Sequence, residues 1–174
     1  MPEPRSAALP LRVLGIDPGL AVTGYAVVDE RGSGGTLVTS GTVKSTSKMP
    51  RADRLGRIFD ATRALIAEFA PHEVAIEQQF VNENVRSAMV VGEARAAAMI
   101  AASVSGLPVF EFPPTSVKEA VTGWGGAPKT QVAQMVLVHL GLSEVAGTTD
   151  VTDAIAVALA RIADARMEIA MARR

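Results

Sequence analysis

The sequence predicts one α/β domain built on a mixed sheet. Three observations point there. The chain opens with short β-type runs separated by turn residues. It then alternates helical apolar patterns with short strands. Its 174 residues, 48% apolar and 20% charged, can bury a core without disulfides or a structural metal.

Leu11 to Ile16 reads as the first strand, stopped by the turn tripeptide Asp17-Pro18-Gly19. Tyr25 to Val28 and Thr36 to Val43 read as the next two, joined by a long turn over Asp29 to Gly35. Arg51 to Phe69 carries Leu55, Ile58, Phe59, Leu65, Ile66 and Phe69 near helical spacing, with Pro71 ending it. Val74 to Ile76 is a short strand flanked by Glu73 and Glu77. Val85 to Val104 is a long helix closed by Gly106, and Val109 to Phe112 a strand stopped by two prolines. Thr115 is placed to cap a short helix ending near Gly123. Gly123 to Pro128 is a flexible loop, Gln131 to Leu140 a helix, and the last helix starts near Thr149 or Asp150. Residues 1–10 are expected to form a flexible tail and residues 11–174 the single domain.

Composition closes off several functions. Cysteine is absent, so there is no thiolate zinc site and no cysteine nucleophile. His72 and His139 are the only histidines, which nearly excludes a multi-histidine metal site. A metal would need carboxylate ligands, hence a hard ion such as magnesium or manganese. The N-terminus has no apolar signal region, and no apolar run is expected to reach the ~18 residues of a membrane span, so a cytoplasmic protein is expected. The net charge of −1 is neutral on nucleic acid, but Lys44 to Arg63 holds six basic residues against two acidic ones. Such a run is a solvated helix face or a phosphate-facing surface. Val85 to Val104 is apolar nearly all round, which asks for cover on two sides: a second helix of this chain, or the same helix of a second subunit.

Four carboxylates stand where elements begin or end. Asp17 closes the first strand and Glu77 the fourth, and strand ends of an open α/β sheet gather at one edge. Asp150 and Asp153 are three apart on a helix and share a face. Four such groups repel unless divalent cations lie among them. Two hard ions bridged by carboxylates form a clamp for phosphate displacement. The plain alternatives are a turn residue for Asp17 and a capping box for Asp150 and Asp153. Glu77, following Val-Ala-Ile, risks burial and needs a partner.

The ordered set of motifs resembles the RuvC family of bacterial Holliday-junction resolvases. Leu14-Gly15-Ile16-Asp17-Pro18-Gly19 with Thr23-Gly24-Tyr25 looks like its opening strand. Ala75-Ile76-Glu77-Gln78 with Phe80 looks like its second acidic motif, and Asp150-Val151-Thr152-Asp153-Ala154-Ile155-Ala156 like its last. Ser87-Ala88, Gly92 with Ala94-Arg95, Leu107 to Glu111, Val117-Lys118 and Lys129 to Val132 fit in order between them. The likeness runs from about residue 12 to 163. It departs at Glu83, where a lysine is common, and at Ala26 and Ala96, where glycines are common.

The resemblance implies an RNase H-like, five-stranded mixed sheet flanked by helices, and a homodimer. It implies a metal-dependent endodeoxyribonuclease that nicks two opposed strands of four-way junction DNA, leaving 5′-phosphate and 3′-hydroxyl ends. Asp17, Glu77, Asp150 and Asp153 would hold two Mg2+ per subunit, with Mn2+ able to substitute. Lys118 and Lys129 would stand by the scissile phosphate, and Phe80 would reach the junction centre, with Asn82, Asn84 and Arg86 assigned to DNA contact beside it. The branch-migration complex of RuvA and RuvB proteins is the implied partner. Three rival readings are weaker. An actin-like sugar kinase needs a second domain and a second glycine-rich phosphate motif. An RNase H-like nuclease on RNA or plain duplex is separable only by assay. A non-catalytic junction binder gains nothing from four acids facing a polyanion.

Overall fold

A computed structural model of the chain describes residues 10–78 and 85–173. The elements run β1 (Arg12–Asp17), β2 (Val22–Arg31), β3 (Gly34–Lys44), α1 (Arg51–Phe69), β4 (Glu73–Glu77), α2 (Val85–Val104), β5 (Val109–Phe112), α3 (Pro114–Thr122), α4 (Lys129–Leu140) and α5 (Thr149–Ala172). The sheet order is β3-β2-β1-β4-β5. β1, β2 and β3 pair antiparallel, while β4 joins β1, and β5 joins β4, in parallel.

Period-2 alternation in β1 feeds two cores. Leu14 and Ile16 face a cluster with Ile58 of α1 and Ala94, Ala98 and Ala102 of α2. Val13 faces the other cluster, which α5 dominates with Ile155, Leu159 and Ile162, and to which α3 and α4 add Val117, Val121, Val132 and Val136. The seat of α5 is unusually close. A Cβ on Gly15 would lie 2.2 Å from the Ala154 carbonyl oxygen, and one on Gly24 2.0 Å from that of Asp150. Two glycines on neighbouring strands therefore let the first turns of α5 rest on the sheet backbone.

The middle of α5 is locked by Arg161, 3% exposed. Its guanidinium donates to both oxygens of Glu73, at 2.7 and 3.4 Å, and to Asp164 and Glu168, and stacks 3.6 Å over the Phe110 ring. Several carboxylate oxygens and an aromatic face satisfy the buried cation, as its burial requires.

Several local expectations need correction. The turn between β2 and β3 is tight, at Gly32 and Ser33, because both strands extend and Arg31 pairs with Gly34. Gly32 permits it with φ of +53°. Thr115 caps nothing; α3 begins a residue earlier, with Pro114 at a position where no amide donor is needed. Asp150 and Asp153 form no capping box, since α5 starts at Thr149 and Asp150 lies inside its first turn. Ser87–Val104 is long and apolar enough to cross a membrane by composition, against the expectation that no stretch reaches that length. In the fold it is a cover for the sheet: Ala94, Ala98, Ala101 and Ala102 are fully buried, and Glu93 and Arg95 form ion pairs with Arg51 and Glu111.

Candidate active site

Asp17 and Glu77 end adjacent parallel strands, with Ile16 and Ile76 in register just before them. The backbone fixes both. Beyond Asp17, the Thr23 hydroxyl donates to the Gly19 carbonyl at 2.7 Å and holds the turn. Beyond Glu77, the Gln78 N–H donates to Phe112 of β5 at 2.8 Å. The glycine seat brings the first turns of α5, with Asp150 and Asp153, over the same sheet edge.

The electrostatics record the crowding. Burial first, then Asp153 and Asp150, push Asp17 up from 3.8 to about 6. Burial, then Asp17 and Asp153, push Glu77 up from 4.5 to about 7, against the opposing pull of Lys129 and Lys118. Lys129, the first residue of α4, donates its ammonium to Asp153 at 2.9 Å. That hydrogen bond, with the Asp153, Asp17 and Glu77 charges, raises the lysine pKa against its partial burial. The Thr148 hydroxyl donates to Asp150 at 2.7 Å. A pocket of about 160 Å³ opens between Glu77, Asp153, Lys118 and Lys129, with Val117, Val132 and Ala156 among its walls.

Among the described residues, no group of three or more acidic or histidine side chains is gathered as a finished metal cage. Asp153 is turned to Lys129 and Asp150 to Thr148, which accounts for that openness. The donor set still suits a hard divalent cation. It offers only carboxylate oxygen, and two of its members, Asp17 and Glu77, are held against ionisation by burial and by the neighbouring acidic charges.

Of the expected site residues, the structure thus draws Asp17, Glu77, Asp150, Asp153, Lys118 and Lys129 to one edge. Phe80, Asn82 and Asn84, the departure at Glu83, and the side chain of Arg86 lie outside the described residues. Of the other two departures, Ala26 is fully buried beneath α5 and Ala96 is exposed on α2. Sequence reasoning missed the Lys129–Asp153 pair, which no local spacing signals across 24 residues. It also missed the packing role of Gly15 and Gly24, which flank Asp17 in the opening strand pair.

A five-stranded mixed sheet with clustered carboxylates and lysines at the ends of its central strands defines an RNase H-like nuclease. The comparisons narrow the class. The family described as "Crossover junction endodeoxyribonuclease RuvC" matches residues 13–161. The chain belongs to the RuvC family of crossover junction endodeoxyribonucleases. A relative of that name from Halorhodospira halophila is 49% identical, over 85% of this chain and 87% of its own. Another, from Trichlorobacter lovleyi, is 47% identical over 87% and 85%. The structure of Thermus thermophilus RuvC in complex with a Holliday junction substrate superposes with a TM-score of 0.87 at 37% identity, covering 91% of this chain and 96% of that one. Nucleases of this family are metal-dependent.

Proposed function

We propose that this edge is the active centre through which the chain cuts four-way junction DNA, with Asp17, Glu77, Asp150 and Asp153 as the ligands of two divalent ions per subunit. Mg2+ is the expected ion and Mn2+ its substitute. The observation that carries the reading is the convergence of mutually repelling carboxylates and two lysines on one pocket at the sheet edge. A lone structural role explains neither the raised Asp17 and Glu77 nor a lysine drawn among them. When bound, the cations supply Lewis acidity toward water and the phosphate oxygens.

The chain's own groups divide the remaining work. Asp17 and Glu77, fixed by strand pairing, set the position of the cation charge at the pocket. Asp150 and Asp153 would join them as ligands from α5, Asp153 from the side where it now accepts from Lys129. Lys129 and Lys118, both on the pocket wall, would face the scissile phosphate and offset the charge that grows on its oxygens. The nick separates a 3′-oxygen from the phosphorus as water adds to it, leaving 3′-hydroxyl and 5′-phosphate ends.

Two copies related by a two-fold axis match the near symmetry of a junction. The exposed side of α2 supports that assembly. Met89 and Ile100, 62% and 55% exposed, lie on it with the exposed Ala96, and an apolar groove of about 340 Å³ runs between Phe59 and Leu55 of α1 and Ala97 and Ile100 of α2. The branch-migration proteins RuvA and RuvB are the further partners this reading expects, and co-purification tests that arm. The central test is cleavage of a labelled four-way junction and a matched linear duplex, with and without Mg2+ or Mn2+. Paired nicks in the junction alone, dependent on metal, are expected. Equal cutting of the duplex, or cutting in chelator, overturns the reading.

A further inference from the structure

The loop between α3 and α4 holds the only tryptophan of the chain, and it stands 60% exposed. An indole left in water forfeits one of the largest apolar burials a side chain can make. The loop nevertheless seats it with care. Gly123, at φ of +80°, turns the chain out of α3 while its N–H still donates to Glu119 at 2.8 Å. The Thr122 hydroxyl accepts from the Trp124 N–H at 3.2 Å and lies 2.8 Å from the Lys118 carbonyl. The Ala127 N–H donates to the Trp124 carbonyl at 3.1 Å, and Ala127 itself is fully buried. Gly126 lies under the ring: a Cβ there would come within 2.6, 2.7 and 3.0 Å of three indole atoms. The indole therefore rests against the bare backbone of Gly126 while most of the residue stays exposed.

Its surroundings say what the open face is for. The loop is anchored to α3 one turn beyond Lys118, and it leads through Pro128 straight into Lys129. Those two lysines line the pocket at the sheet edge. An exposed aromatic on the loop that joins two pocket lysines is a pairing suited to a nucleic-acid strand: the lysines take phosphate, and the ring takes a base. Structural duty alone does not account for it, because the residue leaves most of its surface in solvent.

We propose that Trp124 is a DNA contact of the cleavage site, its exposed indole stacking on a nucleobase of the strand that enters the pocket between Lys118 and Lys129. This rests on the junction-cutting reading above. Stacking of this kind is indifferent to which base is present, so it adds grip and register without adding sequence preference.

A single tryptophan makes the test direct. A synthetic four-way junction is titrated into the full-length protein with calcium in place of magnesium. Gel shift reports binding, and indole emission and its iodide quenching report on Trp124 in the same samples. Binding should lower the emission by half or more and shield the ring from iodide several-fold. Trp124→Ala should keep the melting temperature and weaken junction binding roughly tenfold or more, while Trp124→Phe recovers most of it. A junction that shifts in the gel while emission and iodide access stay unchanged overturns the contact and leaves the junction-cutting reading standing. A Trp124→Ala protein that melts earlier yet binds within twofold assigns the ring to the fold, and equally overturns it. Failure of the wild-type protein to shift the junction at all defeats the underlying reading, and the contact with it.

Discussion

A Cβ on Gly24 would lie 2.0 Å from the main-chain oxygen of Asp150, and 2.5 Å from its carbonyl carbon. The strand residue seven past Asp17 thus sets how deeply the first turn of α5 settles, and with it where two acidic side chains meet the strand ends. Gly24→Ala should move that turn outward by backbone displacement, since no flexible side chain can yield. Destabilisation of about 1–3 kcal/mol is expected, with cleavage reduced further than the lost stability explains. Gly56→Ala is the contrasting variant: nothing lies within 4 Å of a Cβ there, inside α1. It should gain up to about 1 kcal/mol from helix propensity alone. Melting curves and cleavage rates of the two variants side by side check both. A Gly24→Ala enzyme of normal rate would mean that the close seat does not position the site.

The raised carboxylates make the metal-free fold sensitive to pH in a defined direction. Asp17 moves from 3.8 to about 6 and Glu77 from 4.5 to about 7. Between about pH 4 and 7 the folded protein holds protons that the unfolded chain has lost, so stability falls as pH rises through that window and levels off above it. Glu77→Gln should flatten the upper part of the slope and raise the melting temperature in chelator at pH 8. Magnesium should stabilise most at pH 8 and least near pH 5, because its ligands must be ionised. Thermal melts across pH in EDTA and in Mg2+ give the comparison. A metal-free wild-type protein that gains stability from pH 5 to 7, with Glu77→Gln unchanged, would contradict the crowding.

Asp17→Asn, Glu77→Gln, Asp150→Asn and Asp153→Asn should each lower cutting by at least about a hundredfold while keeping shape. Junction binding should survive or tighten, since a charge repelling phosphate is removed. Asp150→Asn discriminates most sharply, because its only described hydrogen-bond partner is the Thr148 hydroxyl and it caps nothing. If Asp150→Asn cuts normally but melts early, Asp150 serves the helix and not the site.

Lys129 pairs with Asp153 at 2.9 Å, yet its side chain is 74% exposed. An ion pair so open to solvent contributes only about 0–1 kcal/mol. Lys129→Ala should therefore leave the melting temperature nearly unchanged. Its single-turnover cutting rate should fall about tenfold or more, equivalent to ~1.4 kcal/mol of transition-state stabilisation. Lys118→Ala should behave alike. A loss confined to junction affinity, with the rate at saturation intact, would make the lysines phosphate anchors instead.

The parts of this molecule that were legible in sequence are those that local pattern writes. Five strands and five helices follow from period-2 and period-3.6 apolar spacing with Gly and Pro punctuation, and Asp17 and Glu77 stand at strand ends as their turns require. What escaped was set by tertiary fit. The β2–β3 turn looked long because Asp29, Glu30 and Arg31 are polar, but they are paired strand residues at the sheet margin. Thr115 looked like a cap because the residue type is right, yet Pro114 starts α3 first. Arg161 sat inside an alanine-rich helix with no local sign that Glu73, 88 residues away, would receive it. Asp153 could be placed on a face of α5 by spacing, whereas its lysine partner came from another helix.

The open side of α2 carries the last prediction. The sequence asks for cover on two sides of this helix; the fold sets both α1 and the sheet against it and leaves a stripe with Met89, Ala96 and Ile100 exposed. Ala94, Ala98, Ala101 and Ala102 are fully buried within the subunit, so a charge at Ala101 would break the monomer itself and report nothing about assembly. Ala96 and Ile100 face out instead, and Ile100 forms part of the apolar groove against α1. Burying that stripe against its symmetry mate would remove several large apolar side chains from water, and the alanines would let two backbones approach closely. Ile100→Glu should therefore leave the fold intact by circular dichroism and convert a dimer to a monomer in sedimentation at micromolar concentration. Because each subunit carries its own carboxylates, the monomer should lose paired nicking before it loses metal-dependent stabilisation. A wild-type chain that sediments as a monomer, or an Ile100→Glu variant that remains dimeric, removes α2 from the interface.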